Sequence, residues 1–332
     1  MGKRLGIPSA LLYYVYYPFW LAFFNEIGVQ VVTSKGTTKS ILDKGVREAL
    51  ADACVPIKLF FGHVMELKNK CDCLFIPRVV CLNGKTIYCP KFLGLPDMIR
   101  HSLDGLPPII DVRIDARQGR LSKLKAFLEI GSYFGVGRNI VLKAYCKAML
   151  VLRRYHRLLR KGLNPLEAME YMENPNNKKL ALPPKANLKF AVLGYPYSIY
   201  DSFISVNLLD KLKNMGVSVL TTENINPLVL AWQKNCGLPK RLFWTFSDAV
   251  LKAAYYLFRR GRVDAVLHLT AFGCGPDSIL NKFIELEAKQ HGDIPFMTLM
   301  IDEHTGEAGM TTRLEAFVDM VRRRKEVSPC QN

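Results

Sequence analysis

Three cysteines stand where chemistry is easily built: Cys54-Val55-Pro56, Cys89-Pro90 and Cys274-Gly275-Pro276. Proline suits the first turn of a helix, so Cys54 and Cys274 are expected just before helix N-termini, and Cys89 in a turn after Lys85-Thr86-Ile87-Tyr88. Free N–H groups and the helix dipole at such a position favour a thiolate over a thiol. Thiolates meeting in a crevice between two lobes would suit iron–sulfur or zinc ligation. The intervals of 35 and 185 residues match no compact ferredoxin run. Small buried cysteines packing as hydrophobes account for the same pattern.

The remaining thiols carry less. Cys71 and Cys73 flank Asp72 where a strand begins, and Cys81 is near in sequence, so an extra ligand or plain core packing fits them. Cys146, Cys236 and Cys330 have no assigned role. A second polar constellation is Ile301-Asp302-Glu303-His304-Thr305-Gly306-Glu307-Ala308-Gly309, between a strand and a helix. Carboxylates, an imidazole and two glycines at a strand's carboxyl end form a polar site, with Glu303 and His304 as the candidate catalytic groups. The alternative is a loop in which Thr311 or Thr312 caps the last helix. Neither a Gly-x-Gly-x-x-Gly run, nor a Walker loop, nor a Gly-x-Ser-x-Gly elbow is present.

The elements that must position these groups alternate. Arg4 to Pro8, an apolar helix, and Val29 to Val32 form the start of a βαβ unit, followed by helical stretches at 39–50 and 56–70 and short apolar runs at 74–76 and 109–112. A second set begins at Leu188 to Gly194, with strands at 217–220, 265–269 and 296–300 between helices at 205–215, 247–260, 276–290 and 312–325. The expected fold class is α/β: two Rossmann-like doubly wound domains with a basic helical insert between them. The divisions are 1–115, an N-terminal α/β domain; 116–187, the basic helical insert and linker; and 188–326, a C-terminal α/β domain.

With 332 residues, 49% of them hydrophobic, the chain buries real cores, which excludes disorder and low complexity. Nine irregularly spaced cysteines suit reduced thiols rather than a secreted disulfide framework. The apolar stretch Ser9 to Phe24 holds 16 residues, is interrupted by Pro18, and runs into Asn25-Glu26-Ile27-Gly28, which looks like a glycine-capped helix end. A buried helix in a soluble, cytoplasmic protein with no membrane role is the expectation. The net charge of +17 points to an anionic partner. Residues 116–162 hold twelve Lys or Arg and one acid, Glu129, which reads either as a solvated face or as a docking surface for a negatively charged partner. No zinc finger, RNA-stacking motif or basic zipper supports nucleic acid.

Several stretches together resemble the 2-hydroxyacyl-CoA dehydratase superfamily, in the branch labelled acyl-CoA dehydratase activase-related, or CoA-substrate-specific enzyme activase. They are Arg4 to Pro8, Ala53 to Lys58 with Gly62-His63, Cys89 to Asp97, Phe272 to Ser278, and Asp302 to Gly309 through Thr312 to Phe317. The resemblance runs from about residue 3 to 325 and implies two Rossmann-like domains with a 4Fe–4S cluster at their junction. Three cysteines would hold it with one iron open; Cys54, Cys89 and Cys274 are the positions that fit. It further implies an ATP-dependent activase with its own iron–sulfur centre as partner, acyl-CoA as substrate, and assembly as a dimer or heterodimer. The activase's actin-like ATP domain is not seen in this sequence. The expected function is therefore an iron–sulfur cluster-binding component that accepts a low-potential electron from the activase for acyl-CoA dehydration or reduction. The alternatives are a double-cubane-cluster reductase, a non-catalytic partner of the activase, and a nucleic-acid binder acting through residues 116–162.

Overall fold

The computed structural model of the chain describes residues 3–119, 121–175, 186–233, 236–260 and 263–327. Two compact units emerge, residues 1–157 with 243–245 and residues 158–242 with 246–332. The boundary falls after Arg157, inside the helical segment 116–173.

Unit 1 begins β1 (Arg4–Ile7), α1 (Tyr13–Glu26), β2 (Gln30–Thr33), α2 (Lys39–Glu48), α3 (Val55–Leu67) and β3 (Cys73–Phe75). It continues β4 (Arg78–Cys81), α4 (Pro90–Ser102), β5 (Ile109–Ile110), β6 (Arg113–Asp115), α5 (Ser122–Tyr133) and α6 (Arg138–Arg160), whose last turn enters unit 2. Its main sheet is parallel in the order β2-β1-β3-β5, with Leu5 opposite Val31 on one side and Cys73 on the other. A small parallel pair β4-β6, irregular between Val79 and Cys81, was not expected from the sequence.

Unit 2 holds α7 (Pro165–Glu173), β7 (Leu188–Gly194), α8 (Pro196–Ile199), α9 (Leu208–Asn214), β8 (Val217–Thr221) and α10 (Pro227–Trp232). After them come α11 (Thr245–Arg260), β9 (Ala265–Ala271), α12 (Gly275–Gln290), β10 (Phe296–Ile301) and α13 (Glu307–Val327). The parallel sheet order is β10-β9-β7-β8. Counted from each unit's own first strand, both four-stranded sheets run 2-1-3-4. The α/β expectation with parallel sheets therefore holds. In such sheets the connections diverge between the first and third strands, and the carboxyl ends there are where ligands bind.

The apolar stretch at the chain's start is a core helix of unit 1. Trp20 and Phe24 pack edge-on against Phe75, and Phe19 and Phe23 against Phe127. Pro18 lies inside α1 without ending it. Lacking an N–H, Pro18 leaves the carbonyl of Tyr14 without its helical donor, and the buried Tyr155 hydroxyl donates to that oxygen at 2.6 Å. The helix closes as the sequence predicts, with Gly28 at φ +77° and Val29 N–H donating to Phe24 O. Among the described residues no helix is long and apolar enough to cross a membrane.

Helix α3 is buried nearly all round, from Val55 through Val64. It lies against α2 backbone to backbone: a Cβ on Gly45 would meet Lys58 O at 1.9 Å, and one on Gly62 would meet Ile41 O at 2.0 Å. Only glycine permits that approach.

Candidate functional site

The helices carrying the three singled-out cysteines run back against their sheets, so their N-termini lie at the carboxyl edges. Cys54 is the N-cap of α3, Cys89 of α4 and Cys274 of α12, each followed by proline in the first turn and none making a side-chain cap bond. The sequence placed Cys89 in a turn; that turn is the start of a helix of 13 residues. Cys54 and Cys89 belong to unit 1, Cys274 to unit 2.

The expected thiolate bias does not survive at Cys89. Burial pushes its thiol up, the N–H of Lys91 only partly opposes this, and the charge of Cys54 raises it further. Desolvation outweighs the helix N-terminus, so the group is held as a neutral thiol. Cys71 and Cys73 are core residues, buried beside β1. The Cys71 thiol donates to Leu67 O at 3.3 Å, and burial pushes Cys73 up to about 11. Cys236 is likewise buried and raised to about 11, while Cys330 lies outside the described residues.

At the carboxyl edge of unit 1 the structure gathers groups that sequence reasoning missed. Ser9, after β1, donates its hydroxyl to Ser34 O, and its N–H donates to Ser34 Oγ, both at 2.9 Å. Ser34 Oγ is 2.8 Å from His63 Nδ1 on α3, and Thr37 Oγ1 is 3.0 Å from His63 Nε2. His63 is fully buried, and desolvation lowers its pKa to about 4, against a small opposing pull from Glu66. A neutral imidazole, one nitrogen donating and one accepting, therefore ties the loops after β1 and β2 to α3. The signal was hydroxyl residues just past two strands, with one histidine in an otherwise apolar helix.

The gap between β1 and β3 is filled by the chain itself. Ile7, Phe60, Phe75, Ile76, Phe92 and Leu95 are among the residues that leave a cavity of only about 30 Å³, close to the room one water needs. Leu11, held at φ +53°, lines it too.

In unit 2 the corresponding edge carries a buried polar tie. His268 Nδ1 lies 2.8 Å from Asn281 Oδ1, while its Nε2 lies 3.3 Å from Asp277 Oδ1 with no hydrogen bond formed by either of those two atoms among the described residues. Asp277 Oδ2 accepts from Ala271 N–H at 3.4 Å, joining the first turn of α12 to the end of β9 and so setting Cys274. The 301–309 loop is a turn built by Asp302. Its Oδ1 accepts from His304 N–H and from the Thr305 hydroxyl, both at 2.9 Å, and His304 itself is exposed. Helix α13 starts at Glu307, five residues before the predicted 312. Thr311 and Thr312 thus lie inside it, donating to Glu307 O and Ala308 O rather than capping.

Residues 4–225 match the CoA enzyme activase uncharacterised domain (DUF2229). The chain belongs to that family. None of the curated proteins compared matches it. The match is to an activase domain, not to the cluster-bearing dehydratase component, and among the described residues no group of three or more His, Cys, Asp or Glu side chains is placed to hold a metal ion. The expected function as the iron–sulfur electron-accepting component is corrected accordingly.

Proposed function

We propose that this chain is a non-catalytic partner of an ATP-dependent activase, working within a CoA-dependent dehydratase system in the cytoplasm. The observation that carries the reading is the activase-domain match across 4–225. The filled switch point of unit 1 supports it: a cavity of about 30 Å³ with an apolar lining offers an acyl-CoA no seat there. The sequence resemblance to the 2-hydroxyacyl-CoA dehydratase superfamily points to the same system. On this reading each 2-1-3-4 sheet is a Rossmann-like scaffold kept for its surface, and the buried Ser9–Ser34–His63–Thr37, His268–Asn281 and Ala271–Asp277 ties are structural.

The test uses the full-length chain, a purified ATP-dependent activase from the same genome, and the matching dehydratase. The chain should bind the activase in biolayer interferometry and change its coupled dehydratase turnover, while showing no acyl-CoA turnover alone. No binding and no effect on turnover would overturn the reading.

A further inference from the structure

Resting on that reading, we propose that the outer face of α6 is the docking surface for an acidic protein partner, the activase. With 23 residues the helix is about 34 Å long. Its inner face is settled by packing. Val141, Ala144 and Ala148 are buried, and Tyr145 stacks edge-on against Phe19. The opposite face runs Leu142, Cys146, Leu150, Arg153 and Arg157, at steps of four and three that keep one stripe outward.

That stripe has two halves of different chemistry. In the first, Leu142 is 39% and Leu150 63% exposed, and the neighbouring Lys143 and Lys147 both reach back to Glu26. In the second stand Arg153, Arg154, Arg157 and Arg160, all exposed; among the described residues none of the four is paired with a carboxylate. Cations in the last turn favour a helix through its dipole. Arg153 and Arg154 lie farther in, where like charges three and four residues apart repel. The helix dipole also leaves the exposed leucines without a reason. An apolar contact with guanidinium groups about 10 Å further along suits a protein surface whose apolar patch is flanked by carboxylates. A nucleic acid would want an unbroken cationic lane, and the leucines and the Glu26-bound lysines break it.

The experiment measures binding of the purified activase to the full-length chain and to three double variants. These are R153E/R157E, L142S/L150S, and R323E/R324E on α13 as an equal change of charge elsewhere. Circular dichroism and melting verify that each is folded. The first two should weaken binding about tenfold or more, the α13 pair should leave it unchanged, and added salt should weaken the wild type. Wild-type binding with undiminished affinity in both α6 variants would overturn the docking surface while leaving the partner reading intact. No wild-type binding at all would overturn both. Retention of a labelled 20-mer duplex, lost in R153E/R157E, without activase binding would overturn the proposal in favour of a polyanion.

Discussion

Adding one methyl group to Gly62 should unfold unit 1 at a markedly lower temperature, and the same change at Gly94 should do the opposite. A Cβ at position 62 would sit 2.0 Å from Ile41 O, and one at position 45 would sit 1.9 Å from Lys58 O. An ordinary C···O contact is about 3.3 Å, so α2 and α3 would have to part by more than about 1 Å. Helix α3 is buried nearly all round and α2 buries Ile41, Leu42 and Gly45, so overpacking of this kind costs about 3 kcal/mol. Replacing a helical glycine returns up to about 1 kcal/mol of that. The net loss of about 2–3 kcal/mol corresponds to a fall of roughly 5–10 °C for a unit of this size. At Gly94, within α4, a Cβ meets nothing within 4 Å, so Gly94→Ala should gain up to about 1 kcal/mol. Urea and thermal melts of the full chain read both. Gly62→Ala and Gly45→Ala melting with the wild type, or Gly62→Ala and Gly94→Ala moving in the same direction, would refute the close-helix argument.

Other outcomes follow from single groups. His63 is buried neutral with its pKa at about 4, below the roughly 6.5 of the unfolded chain. Its contribution is therefore full above that value and is lost as pH falls toward 4. Urea stability should drop by about 2 kcal/mol between pH 7 and pH 5, and His63→Gln should remove that slope. Tyr155→Phe removes the hydroxyl that donates to the Tyr14 carbonyl beside Pro18 and should cost about 1–3 kcal/mol by denaturant melts; an unchanged midpoint would refute a contribution from that bond. Because burial raises the Cys89 thiol while Cys146 is exposed, maleimide at pH 8 should label Cys146 well before Cys89 in peptide mapping. Equal rates would place Cys89 in water. Arg78 bonds both Asp97 and Asp111 across β4, α4 and the end of β5, and Arg100 also pairs with both, so Arg78→Met should cost about 1 kcal/mol in melts, and Arg78→Met with Arg100→Met should cost more than the sum of the two single changes.

Apolar patterning together with local proline and glycine signals determined the alternation of strands and helices, the glycine-capped end of α1 and the helix starts at Cys54 and Cys274. These depend on neighbours within one or two turns, which a linear pattern records. Nothing local marks β4 and β6, because a parallel pair of three or four residues exists only once the intervening chain has returned to pair it. The start of α4 at Cys89 and the early start of α13 at Glu307 were hidden for a related reason: tertiary packing, not composition, decided how far each helix extends.

Chemistry divides the same way. The sequence could name Cys54 and Cys274 as thiols at helix starts, and the structure places them there, with Cys89 at a third start that the sequence showed only as a turn. It could not say that Cys89 is too desolvated to ionise readily, since the helix N-terminus acts over one turn and burial is set by residues dozens of positions away. Nor could it show His63 meeting Ser34 and Thr37, 29 and 26 residues apart in the chain. The basic run at 116–162 was legible as charge. Only the folded helix separates the lysines bound to Glu26 from the outward arginines, because a helix sorts neighbours in sequence onto opposite faces and packing chooses which face meets water.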